Sequence, residues 1–120
     1  MNHVDKTLLN KAFAKLRKTG IIARQNYLCC QSCGCAGVDR DFIRLSAENQ
    51  ASKTGFCFYH RQDSDSRDRG HNFHLTFGVF RESRGDPVAI GQKIVEVLVG
   101  CGIPAKWNGS SDTRICIVQE

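Results

Sequence analysis

No apolar run in this 120-residue chain approaches the roughly 20 residues that a membrane-spanning helix needs. The amino-terminal stretch MNHVDKTLLNK also lacks the continuous apolar segment and small-residue cleavage site of a secretory leader. Both absences argue against membrane insertion and export, and the expectation is a cytoplasmic protein. Internal repeats are missing, which sets aside solenoids and arrays. A disulfide framework is missing too: the seven cysteines are odd in number and clustered, and a chain of this length that is 41% hydrophobic can build a core without staples. Reduced thiols in a reducing compartment follow. Charge of one sign is not in excess, since 12 acidic residues are interspersed among 17 basic ones except in the first helix, and the net +5 does not by itself indicate nucleic acid. The length suits a single compact domain, residues 1–120.

The apolar pattern assigns most of the chain. Residues 6–19, KTLLNKAFAKLRKT, place Leu9, Phe13 and Leu16 at helical spacing, and Gly20 follows where a helix ends. Lys11, Lys15 and Lys18 occupy the opposite face without interleaved aromatics, the pattern of a solvated surface, so nucleic-acid binding is not expected. IIARQNYL reads as a strand, and Val38, Phe42 and Leu45 mark a shorter helix from Val38 to about Asn49. FCFYH and HNFHLTFGVF are strands, the second with Phe73, Leu75, Phe77 and Val79 on one face. Between them, RQDSDSRDRG has no apolar side chain and is expected to be a mobile surface loop. Its Asp63 and Asp65 begin like a calcium loop, but Arg67 and Asp68 stand where such a loop needs an oxygen ligand and a glycine.

Asp86 and Pro87 open a third helix with Ile90, Ile94, Leu98 and Cys101 along its apolar stripe. Two short strands then flank the NGSSD turn, the second with Ile115 and Ile117 on one face and Cys116 on the other. The expected fold is α+β: a two-layer sandwich of helices packed on a largely antiparallel sheet, in the order α-β-α-β-β-α-β-β.

The chemistry concentrates in NYLCCQSCGCAG, which holds Cys29, Cys30, Cys33 and Cys35. Cys30 and Cys33, two residues apart and followed by Gly34, have the form of half a zinc knuckle. Cys57 and His60 have the spacing of a second half, giving a candidate metal set of Cys30, Cys33, Cys57 and His60 with zinc as the candidate cofactor. An odd separation along a strand points residues 57 and 60 to opposite faces, so that set requires a bulge. The same Cys30 and Cys33 are a candidate redox pair, with a thiolate stabilised by a following helix. Thioredoxin-like chemistry also requires a βαβ unit around the pair, which the order of elements does not show. The third reading is buried thiols without chemistry.

The segments LRKTGIIARQNYLCCQSCG, FCFYHRQD, HLTFGVF and IGQKIVEVLVGCGIPAKWNGSSDTRI resemble a bacterial domain family of unknown function, in order and spacing over nearly the whole chain. The resemblance implies a single compact domain and no assigned activity, substrate or cofactor. The family-like segments draw attention to polar residues at strand ends and turns, namely Arg24, Gln25, Asn26, His60, Gln62, Asp63, Trp107 and Asn108, as candidate binding residues. Capping of turns and backbone groups is the alternative for each. The functional expectation is a small interaction module in preference to an enzyme, with a second copy of the chain as candidate partner through exposed strand edges. A zinc-stabilised module and a thiol enzyme are the alternatives.

Overall fold

A computed structural model describes residues 4–80 and 85–119. Its elements are α1 (Lys6–Lys18), β1 (Ile21–Arg24), α2 (Gln31–Ile43), α3 (Ala47–Ala51), β2 (Gly55–Phe58), α4 (Arg61–Asp68), β3 (Phe73–Gly78), α5 (Pro87–Gly100), β4 (Ala105–Lys106) and β5 (Ile115–Ile117). The strands form one sheet in the order β1-β2-β3-β5-β4. The β2–β3, β3–β5 and β4–β5 pairs are antiparallel, whereas β1 and β2 run parallel with Ile22 opposite Phe56 and Ala23 opposite Cys57. The α+β class expected from the sequence holds, and the sheet is mixed.

Strand alternation sorts the core. Ala23, Cys57, Leu75 and Ile115 face α1 and α5, where Leu9, Phe13, Ile94 and Leu98 cover them. Ile22, Phe56 and Phe58 turn the other way and meet Val38 and Phe42 of α2, with Phe42 stacked on Phe80 at a ring separation of 4.3 Å. The expected packing of helices on a sheet describes α1 and α5, and α2 adds a cover on the second face. Asp5 caps α1 by accepting from the Thr7 N–H at 2.9 Å, and Asp86 caps α5 by accepting from the Val88 N–H at 3.0 Å.

Two regions differ from expectation. The stretch RQDSDSRDRG is not a loop: it forms α4, which packs against β3. Its contacts are polar. The His60 N–H donates to the Asp63 carboxylate at 3.2 Å, Ser64 donates to the Asn26 side chain at 2.9 Å, and Arg67 donates to the Tyr59 hydroxyl at 2.9 Å. Asp63 and Ser64 are buried. A helix that turns polar groups inward leaves no apolar period to detect. β2 and β3 are therefore antiparallel neighbours joined by a helix in place of a hairpin loop.

The second helix begins at Gln31, well before Val38, and α3 follows it as a separate short helix. Gly34 and Gly37 lie inside α2 because β2 approaches closely at the first and the loop after β1 at the second. A Cβ on Gly34 would stand 2.3 Å from the Phe58 ring, and one on Gly37 would stand 2.6 Å from the Tyr27 hydroxyl. Among the described residues no helix is long and apolar enough to cross a membrane.

Candidate thiolate site

β1, α2 and β2 form a parallel βαβ unit, and the Cys30–Cys33 pair opens its helix. The sequence order alone shows no such unit, because β1 and β2 pair only once the chain between them is folded. Cys30 is the N-cap of α2 with extended backbone (φ −158°, ψ 176°), which places Cys33 three residues in, at the first turn.

The loop leading into α2 is held in an unusual conformation. Asn26 and Leu28 have φ of +50° and +60°, in the left-handed region. For a bulky side chain such as Leu28 this costs about 1–3 kcal/mol. Neighbours hold it in place: the Tyr27 N–H donates to the Tyr59 carbonyl at 2.8 Å, and the Arg61 N–H donates to the Leu28 carbonyl at 3.0 Å. This turn brings Cys29 beside the helix start. The Cys29 and Cys30 sulfurs are 3.8 Å apart, and the Sγ atoms of Cys29, Cys30 and Cys33 all lie within 4.8 Å of one another. Cys29 and Cys33 are exposed and Cys30 is half-buried.

Cys30 and Cys33 divide their protons unequally. The backbone N–H of Cys33, followed by the thiols of Cys33 and Cys29, lowers the Cys30 pKa from the ordinary thiol value. The Cys29 and Cys30 thiols push that of Cys33 up to about 11. Of these two, Cys30 is thus the favoured thiolate, and Cys33 keeps its proton. Cys35, two positions further along α2, packs against the second-face core, and burial raises its pKa.

Over residues 2–119 the chain matches the family model described as a domain of unknown function, DUF6891. The chain belongs to the DUF6891 family. No match was found among curated proteins or among solved structures. The DUF6891 description carries no activity, so the chemistry rests on the residues themselves.

The candidate set Cys30, Cys33, Cys57 and His60 does not come together in this DUF6891 chain. Cys57 is fully buried on the α1/α5 side of the sheet, and burial raises its thiol pKa far above the ordinary value. His60 is buried at the start of α4 with Nε2 3.1 Å from Asp63 Oδ2, and burial lowers its pKa, which favours the neutral imidazole. The third member of the cluster is Cys29. Among the described residues no further Cys, His, Asp or Glu joins the trio.

The candidate binding residues separate into three places. Gln25 accepts from the Tyr59 hydroxyl at 2.9 Å and donates to Asn10, and Arg24 lies 3.7 Å from Asp41. Asn26, His60 and Asp63 meet around the start of α4, while the exposed Gln62 offers its carbonyl to Ser66. Trp107 and Asn108 shape the β4–β5 turn, where the indole N–H donates to the Ser110 and Thr113 carbonyls and Asn108 accepts from the Ser110 N–H. Arg114, which no motif singled out, links the last two places: it donates to Asp63 at 2.7 Å and lines an open cleft with Trp107 and Asn108.

Proposed function

We propose that this DUF6891 chain is a thiolate metal-binding module in which Cys29, Cys30 and Cys33 hold one soft ion, with zinc the best fit. The observation that carries this is the 3.8 Å separation of the Cys29 and Cys30 sulfurs, with Cys33 Sγ within 4.8 Å of both. Tetrahedral zinc with bonds of about 2.3 Å spaces its sulfurs by about 3.8 Å. Three sulfur donors favour zinc or copper(I) over the hard cations calcium and magnesium. The ion would tie the strained 26–30 loop to the start of α2 and leave a fourth position for an outside ligand. Ligation must displace the Cys33 proton, so affinity rises with pH.

Metal analysis of reduced protein, with isothermal titration by zinc and absorption of the cobalt(II) form, tests this. One equivalent bound, lost in Cys29→Ser, Cys30→Ser and Cys33→Ser but kept in Cys57→Ser, supports the module. No stoichiometric uptake by the fully reduced protein refutes it.

A dithiol reading is favoured by the place of Cys30 at the head of the βαβ helix. Its thiolate attacks a substrate disulfide, forming a mixed disulfide and releasing one thiolate. Cys33 then loses its proton and attacks the Cys30 sulfur, which closes Cys30–Cys33 and releases the second thiol. Recovery of a Cys30–Cys33 disulfide by mass spectrometry, together with turnover of a model disulfide by metal-free protein, would favour this reading over the metal.

A further inference from the structure

The trio stands at a cleft of about 640 Å³ lined by Leu28, Cys29, Cys33, Ala36, Arg40 and Arg61. Cys33, Ala36 and Arg40 project from one side of α2, and Arg61 is the first residue of α4, so the cleft lies where the two helices approach the strained loop. We infer that this cleft recognises a small mercaptocarboxylate, whose sulfur takes the fourth position on the thiolate-bound ion and whose carboxylate is held by Arg40 and Arg61. This rests on the metal reading above.

Three features carry the inference. The first is charge: none of the lining residues is acidic, and among the described residues neither Arg40 nor Arg61 has an ion-pair partner. A divalent ion on three thiolates has one net negative charge, and the two guanidiniums turn the site net positive, which selects an anion. A mercaptocarboxylate is a monoanion when free at neutral pH, and it releases its thiol proton to solvent as the sulfur binds the ion. The second is donor chemistry. An ion soft enough to sit on three thiolates prefers sulfur to oxygen in its open position, and a guanidinium fork matches a carboxylate in plane and spacing. The third is shape, since Ala36 stands between Cys33 and Arg40 along α2 and Leu28 adds a second apolar side chain to the lining, which suits a short carbon linker better than a compact oxyanion.

The test uses the full-length chain loaded with cobalt(II), whose visible spectrum reports a change of fourth ligand. Titration compares 3-mercaptopropionate, 2-mercaptoethanol and propionate. The expected order has mercaptopropionate about tenfold tighter than mercaptoethanol, and propionate without the sulfur-to-metal spectral change. In Arg40→Gln/Arg61→Gln the margin between the two thiols disappears while cobalt uptake stays at one equivalent. Equal affinity of the two thiols for the wild-type chain, or a margin that survives the double substitution, overturns the inference and leaves the metal site standing. Failure of the wild-type chain to take up cobalt or zinc overturns both, and the uptake measurement made beforehand separates the two results.

Discussion

Replacing Asp63 with alanine removes the acceptor on which α4 is built. Asp63 Oδ2 lies 2.7 Å from Arg114 Nη2, 3.1 Å from His60 Nε2 and 3.2 Å from the His60 N–H. The Asp63 side chain is 8% exposed and that of Arg114 26% exposed, so the substitution leaves a guanidinium that is mostly out of water without its counter-charge, with the His74 carbonyl as its remaining acceptor and its Nε already lacking a partner. Breaking a fully buried pair costs about 3–5 kcal/mol, and the partial exposure of Arg114 lowers the expectation to about 2–4 kcal/mol. With a urea dependence of about 2 kcal/mol per molar, the unfolding midpoint falls by about 1–2 M. Hydrogen exchange at the α4 amides should accelerate in the same variant, because the helix loses its capping acceptor. In Asp63→Ala/Arg114→Leu more than half of the loss should return, since no charge is left stranded. A loss under about 1 kcal/mol, or a double variant less stable than Asp63→Ala, would refute this account of how a helix without apolar side chains is held.

Three further outcomes follow from the same structure. Gly34→Ala sets a Cβ 2.3 Å from the Phe58 ring. It should cost about 1–3 kcal/mol in urea melts, and it should weaken zinc uptake because α2 must shift away from the sheet. Acid should destabilise the protein through His60: burial holds its pKa below the ordinary 6.5, so the unfolded chain binds more protons in the window just below that value. Stability therefore falls as pH drops through about 6.5, and His60→Gln should flatten that slope; a slope unchanged by the substitution rules His60 out as its source. Cys30 should be alkylated ahead of Cys33 at neutral pH by iodoacetamide, since its thiolate persists to lower pH than a free thiol. Peptide mapping that finds Cys33 labelled ahead of Cys30 contradicts the proton distribution described above.

The local chemistry of the chain determined α1, α5 and β5, because Leu9, Phe13 and Leu16, then Ile90, Ile94 and Leu98, then Ile115 and Ile117 each bury one face and leave a period that reads directly. It also marked where the thiols crowd, while Cys57, a candidate ligand by its spacing to His60, is buried on the α1/α5 side of the sheet. Three things were decided only by tertiary structure. The parallel pairing of β1 with β2, across residues 25–54, is non-local, and it turns CQSC into the opening of a βαβ helix. The left-handed Leu28, held by the Arg61 N–H, swings Cys29 into the trio, a conformation that no residue type at that position announces. α4 exists because Asp63, Ser64 and Arg67 find Arg114, Asn26 and Tyr59 from distant parts of the chain. Apolar burial leaves a periodic trace in the sequence, whereas a polar contact depends on a partner that only the folded chain supplies.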